Sequence, residues 1–242
     1  VGHYFSMYEL GFFSLVLTAF LLPSQLLHKV YDSLFISPLS KAFQQRDRFE
    51  SQQFLIWYSL FALSTAYVLF SILLGPWLFI FLFGEKYEPG LDLLPWIVLM
   101  VSVRILRIAT SMLALATAKP YCELYANLVR ASALPIAIIG LAMGYPIECV
   151  PIAGIIGEVL ALFVGLVSLN LPVSHAVKPP AVSGMIMLWL ASMVFITAEI
   201  VIDINPPYVS ATLAAVLLIT MILFFIKQYP KFTIERGFQN DV

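Results

Sequence analysis

Charge is scarce in this chain. Asp, Glu, Lys and Arg make up 11% of its 242 residues, against about 25% in soluble domains, and the mean hydropathy is +0.95. Such scarcity excludes a water-soluble globule. A transmembrane β-barrel is excluded as well, because its strands alternate apolar and polar residues and average far more polar than this. Cysteine is nearly absent: only Cys122 and Cys149 occur, with no metal-ligand spacing around either. The sequence carries no Ser-His-Asp set, metal-ligand cluster or phosphate-binding glycine loop. Neither an enzymatic activity nor a cofactor nor a metal is expected. Nothing in the composition suggests a nucleic-acid partner. A basic leader with a cleavage site is missing too, and the chain opens on Val1 rather than Met. That start reads as a cut point, so the chain is expected to be the C-terminal part of a longer protein.

What the chain does have is long apolar runs. A span needs about 20 mostly apolar residues, and seven runs qualify: Tyr4–Val30, Phe54–Leu82, Leu93–Ala118, Leu124–Tyr145, Pro151–Leu171, Gly184–Ile202 and Tyr208–Ile226. The fold class is therefore all-α, a polytopic transmembrane helix bundle of about seven spans embedded in membrane lipids. Most linkers are short and rich in Pro, Gly and charge, as turns are. Only Tyr31–Gln53 is long, and "SPLSKAFQQRDRFESQQ" within it reads as a short interfacial helix.

Lys and Arg in the loops set the orientation. One side holds Lys29, Lys41, Arg46, Arg48, Lys119, Lys178, Lys227, Lys231 and Arg236; the other holds only Lys86. The basic side is expected to be cytoplasmic, which places residue 1 outside and the C-terminal tail inside. On this map Cys122 lies inside and Cys149 outside, so they cannot pair.

Three arginines remain, and all three fall within spans. Arg104 and Arg107 share one helix face with Ser111, Ala114 and Ala118, while Leu99, Leu106 and Leu113 take the neighbouring side. A charge at the bilayer centre costs at least ~2.5 kcal/mol, so the arginine stripe must face protein or a water-filled cavity. At 1.5 Å of rise per residue, Arg107 and Arg130 lie at nearly one depth. Asn127 sits one turn from Arg130. Glu158 falls closer to Arg104 than to Arg130. Arg104–Glu158 is thus the expected ion pair, and Arg104, Arg107, Arg130, Asn127 and Ser111 are the candidate lining of an anion-receiving cavity. His3, His28 and His175 fall near span ends without a partner pattern. Ala153, Gly157, Ala161 and Gly165 form a small-residue ridge at four-residue spacing, which suits close helix packing. Pro135, in mid-span, is expected to kink its helix one turn beyond Arg130.

Several stretches, in order, carry a resemblance: "VGHYFSMYELGFF", "SPLSKAF", "LFGEKYEPGLDLLPWIVL", "RILRIATSMLALATAKPYCELYANLVRA" and "IAGIIGEVLALFVGL". Over about Gly2–Leu171 the chain resembles the C-terminal half of bacterial polysaccharide flippases. These are the O-antigen and exopolysaccharide exporters of the multidrug/oligosaccharidyl-lipid/polysaccharide superfamily. The family's "GYYSxAxxL" start, "PxLS" segment, "FGxxYxxAxxLL" loop and Gly-rich span with "GE" recur in that order. His3 stands where a Tyr is usual, and Pro89-Gly90 precede the Leu-rich stretch.

The resemblance implies two helix bundles around a cavity that opens alternately to each face. Residues 1–171 would be a partial C-terminal bundle of about five spans, 172–226 two additional spans, and 227–242 a cytoplasmic tail. It implies location in the bacterial inner membrane and a substrate carried on undecaprenyl pyrophosphate, a lipid-linked oligosaccharide with a negative head. A coupling ion, proton or sodium, is left open. Other readings also stand open at this point: a lipid II flippase or cation-coupled drug exporter of the same superfamily, or a non-transporting scaffold or polymerase subunit. Exporters of cations are expected to bury carboxylates rather than arginines. A polymerase is expected to show a large outer loop, and the longest here is about nine residues.

Overall fold

The computed structural model describes residues 6–169, together with helical residues 186, 187, 189–192 and 194. The predicted seventh span, the tail, and most of the predicted sixth span lie outside the described residues. Those described are almost wholly helical. Five helical stretches are long and apolar enough to cross a membrane: Met7–Ala42, Arg48–Phe83, Glu85–Ala116, Pro120–Ala142 and Cys149–Leu169.

Helix α1 (Met7–Ala42) starts at a capping box. The Ser6 hydroxyl accepts from the Glu9 N–H at 3.2 Å, and the Glu9 carboxylate accepts from the Ser6 N–H at 2.8 Å. Helix α2 (Arg46–Phe83) follows after only residues 43–45. The long linker with a separate interfacial helix, expected over Tyr31–Gln53, is therefore not what forms. Both transmembrane helices run straight through it and meet in a tight turn closed by Gln45 N–H to the Ala42 carbonyl at 2.8 Å. The reason lies in residue type: Lys, Gln, Arg and Glu are polar but favour helix, as does Ala. With 36 and 38 residues, α1 and α2 are about 54 and 57 Å long, against about 30 Å of hydrocarbon, so their joined ends project beyond it as a helical hairpin. Tyr31 ties the pair by donating to Ser59 Oγ at 2.8 Å, and Phe43 packs edge-on against Phe49.

At the other end of α2, Gly84 turns the chain at φ +88°, a left-handed conformation that glycine takes without strain. A 3-10 segment, Glu85–Leu93, then leads into α3 (Leu94–Ala116). Helix α3 is the core. Every residue in it is buried except Pro95, Trp96, Arg104 and Leu115. It packs against α1, α2, α4 (Pro120–Ala131) and α6 (Cys149–Leu169). Its leucine stripe is thus covered by protein and not by lipid.

The fourth span is broken. Helix α4 ends at Ala131 and α5 (Ala133–Ala142) takes over. Pro135 has no N–H to give the Ala131 carbonyl, and Ser132 tightens the joint by bonding Val129 O at 3.0 Å. The ridge on α6 is buried along its length: Ala153, Gly157, Ala161 and Gly165 all face protein. A Cβ on Gly165 would stand 3.1 Å from Thr110 of α3, and one on Gly157 would stand 2.8 Å from Ala133 Cβ and 3.0 Å from the Arg130 carbonyl oxygen. Small residues thus let α6 seat against α3 on one side and against the α4–α5 joint on the other. Among the residues 186–194 that are described, Trp189 donates to Ser64 Oγ at 2.9 Å and meets Phe61 edge-on, so this piece lies on α2.

Candidate functional site

The seat of Gly157 places the next residue, Glu158, beside Arg130 and opposite the arginine stripe of α3. Three guanidinium groups gather there. Arg107 Nε donates to Glu158 Oε2 at 3.0 Å, and Arg107 Nη1 donates to Glu123 Oε1 at 3.0 Å and to Asn127 Oδ1 at 3.3 Å. Asn127 Nδ2 in turn donates to Glu123 Oε1 at 3.0 Å. Arg107 and Glu158 are almost wholly buried, with side chains 8% and 5% exposed. Arg104 Nη1 and Arg130 Nη1 stand 3.9 and 3.7 Å from the other Glu158 oxygen, Oε1, and about a third of each side chain is exposed.

The expected Arg104–Glu158 ion pair is present, at 3.9 Å, but it is not the tightest contact Glu158 makes. The close, hydrogen-bonded partner of Glu158 is Arg107; Arg104 is the most distant of the three arginines, and Arg130 is nearer than Arg104. Rise per residue locates Cα atoms, but an arginine side chain leans toward its helix N-terminus and is longer than a glutamate, so Arg107 reaches the level of Glu158. The close approach at Gly157 supplies the rest, because it draws Arg130 in. A correction concerns Glu123, which the sequence places in the linker between Ala118 and the span that starts at Leu124. Read as part of a turn, it lies instead in the first turn of α4 and is a second acidic partner in the cluster. The spacing Glu123, Asn127, Arg130 marks one helix face, and that was the signal available. Three arginines thus meet two carboxylates, and one positive charge remains in excess.

Beside the cluster lies a cavity of about 320 Å³ between α1 and α3, at the small end of ligand sites. Its α3 wall is Arg104, Arg107, Ile108 and Ser111. Arg130 and Asn127, expected in the lining, do not line this cavity; they belong to the adjoining ion cluster, where the Arg130 side chain is 35% exposed. The α1 wall is Ser24, Gln25, His28, Lys29 and Asp32, with His28 Nε2 3.5 Å from Asp32 Oδ2. Sequence reasoning missed this wall because it counted Lys29 with the loops, set His28 aside as a span-end residue and left Asp32 outside the span, so the shared face went unread. The recurrence of polar residues at 24, 25, 28, 29 and 32 was the helical-face signal that could have found it.

A second hollow, between α1 and α2, is apolar and includes Phe20, Leu27, Tyr67, Phe70 and Phe79. It lies on a different face of α1, so that helix separates a polar cavity from an apolar groove.

Comparison of the chain with family models, with curated proteins and with solved structures gives no match.

Proposed function

We propose that this multi-pass membrane protein belongs to a transporter that moves an anionic, lipid-linked oligosaccharide across the bacterial inner membrane, and that the arginine-bearing cavity handles the negative head. The single observation behind this reading is the convergence of Arg104, Arg107 and Arg130 at membrane depth, with excess positive charge, beside a polar cavity. Guanidinium stays charged and binds phosphate or carboxylate through a planar fork. The resemblance of residues 2–171 to polysaccharide flippases supplies the substrate class.

The cluster changes which arginines are assigned to the substrate. Arg107 is tied to Glu158, Glu123 and Asn127 and acts as a positioning residue. Arg104 and Arg130 are the ones with donors to offer. Replacing Arg104 and Arg130 together by Ala is expected to abolish glycan display at the cell surface while folded protein stays near normal in the membrane, measured on the same strains. Normal display at normal protein level would leave the arginines as structural and the transport reading without its carrier.

The proposed orientation has its own test. The hairpin joining α1 to α2 is cytoplasmic, and the segment Glu85–Leu93 is external. A single cysteine at Glu88 is expected to react with an impermeant thiol reagent in intact spheroplasts, and one at Ser51 to react only after permeabilisation. The reverse pattern would invert the map.

A further inference from the structure

The three arginines differ in what they still have to give. Arg107 is hydrogen-bonded on two helices and buried. Arg104, from α3, and Arg130, from α4, make no side-chain hydrogen bond to any described residue, yet both Nη1 atoms converge on a single oxygen, Glu158 Oε1, at 3.9 and 3.7 Å. Side chains 31% and 35% exposed leave both groups reachable. Two guanidiniums from different helices aimed at one point make a seat for an oxyanion. What stands there is half of a carboxylate whose other oxygen, Oε2, is held by Arg107 Nε at 3.0 Å.

We infer that Arg104 and Arg130 form a two-arginine seat for one phosphate-type oxyanion, and that Glu158 is its resident surrogate, displaced when a ligand anion arrives. The inference rests on the reading under Proposed function and narrows it to two residues and one chemistry. Glu158 need not leave the cluster to yield the seat, because Arg107 retains Oε2 while Oε1 gives way. The remaining charged neighbours are otherwise engaged or more remote: Glu123 is bound to Arg107, and His28, Lys29 and Asp32 form the opposite wall of the cavity on α1.

Two consequences follow for binding. A pair of arginines in a poorly hydrated site without a counter-charge would hold a phosphate too firmly to release it. A built-in competitor lowers that affinity and favours turnover. The competitor also selects. A dianionic phosphate or pyrophosphate outcompetes a carboxylate at two guanidiniums, whereas a sugar carboxylate meets Glu158 as an equal.

The test is calorimetric titration of inorganic pyrophosphate into the protein in lipid nanodiscs. Glu158→Gln keeps an acceptor for Arg107 and removes the competing charge. An opposite charge within ~4–6 Å typically shifts ionic equilibria by one to three powers of ten, so Glu158→Gln is expected to bind pyrophosphate about tenfold more tightly or better. Adding Arg104→Ala to Glu158→Gln is expected to erase that gain, and Glu88→Gln, remote from the cluster, to match wild type.

A second arm loads the nanodiscs with dodecyl phosphate. Competition with pyrophosphate identifies the seat as one for a membrane-borne phosphate head; lack of competition identifies a soluble anion. Either supports the seat. Should Glu158→Gln fail to fold, Glu158→Asp decides: it retracts the carboxylate by one methylene and is expected to tighten binding in the same direction. Binding that neither variant tightens overturns the displacement while leaving the transport reading in place. Absence of pyrophosphate binding in wild type and every variant overturns both.

Discussion

Arg107→Ala is expected to remove most of the folded protein from the membrane, a larger loss than either Arg104→Ala or Arg130→Ala produces. From the central helix α3, Arg107 hydrogen-bonds both α4 and α6. Its removal strands Glu158, 5% exposed, and Glu123, 23% exposed. Breaking a buried ion pair from one side costs roughly 3–5 kcal/mol, because the remaining charge stays desolvated, and that is a large share of a typical stability of about 5–15 kcal/mol. Arg104 and Arg130 can shift toward Glu158 and soften the effect there, but Glu123 has no such neighbour among the described ion pairs.

Arg107→Lys keeps the charge without the fork, so it cannot serve Glu158 and the Glu123–Asn127 pair together. Its folded yield is expected to fall between wild type and Arg107→Ala. Arg107→Met combined with Glu123→Gln and Glu158→Gln is expected to recover much of the loss, since a neutral set leaves no buried carboxylate unpaired. Fluorescence-detected gel filtration and thermal unfolding in detergent measure all three. A wild-type yield for Arg107→Ala would mean that the network does not hold α3, α4 and α6 together.

The way the fold and the cluster could be read from the sequence follows from which interactions are local. Membrane helices were legible because twenty apolar residues in a row have few alternatives in a bilayer, and the first five apolar runs all coincide with helices. Helix ends were not. Residues 31–53 carry charge and amide, which signal solvent, but the same residues have good helix propensity, and solvent does not end a helix. That ambiguity hid the hairpin and left Asp32 apart from the other polar residues of the α1 wall.

Arg104, Arg107 and Arg130 were legible because charge within a span is expensive wherever it falls. Depth alone paired Arg104 with Glu158, but the tighter contacts of Arg107 with Glu158 and Glu123 were not legible, since they depend on side-chain reach and on the separation of helices that are far apart in sequence. The small-residue ridge was legible as packing. Its second role, bringing Glu158 to the arginines, depends on what faces Gly157, and no spacing rule contains that.

Gly157→Leu therefore tests the fold and the ion cluster at once. A Cβ at 157 would lie 2.8 Å from Ala133 Cβ and 3.0 Å from the Arg130 carbonyl oxygen. Neither is the end of a flexible side chain, so the helices themselves must separate. Overpacking of this kind costs about 1–3 kcal/mol where the backbone can adjust. Here adjustment also draws Glu158 away from Arg107 and Arg130, and the cost of weakening a buried pair is added. Folded yield is expected to fall severely with Leu and partly with Ala.

Leu160→Ala is the control, since Leu160 is 41% exposed and its loss should change stability by about 0.5 kcal/mol or less. The surviving fraction of Gly157→Ala carries a further signature. If α6 positions the cluster, glycan display per folded molecule falls as well, whereas a purely packing role lowers yield alone. Equal yields for Gly157→Leu and Leu160→Ala would mean that the ridge faces lipid and that Glu158 is not brought to the arginines by α6.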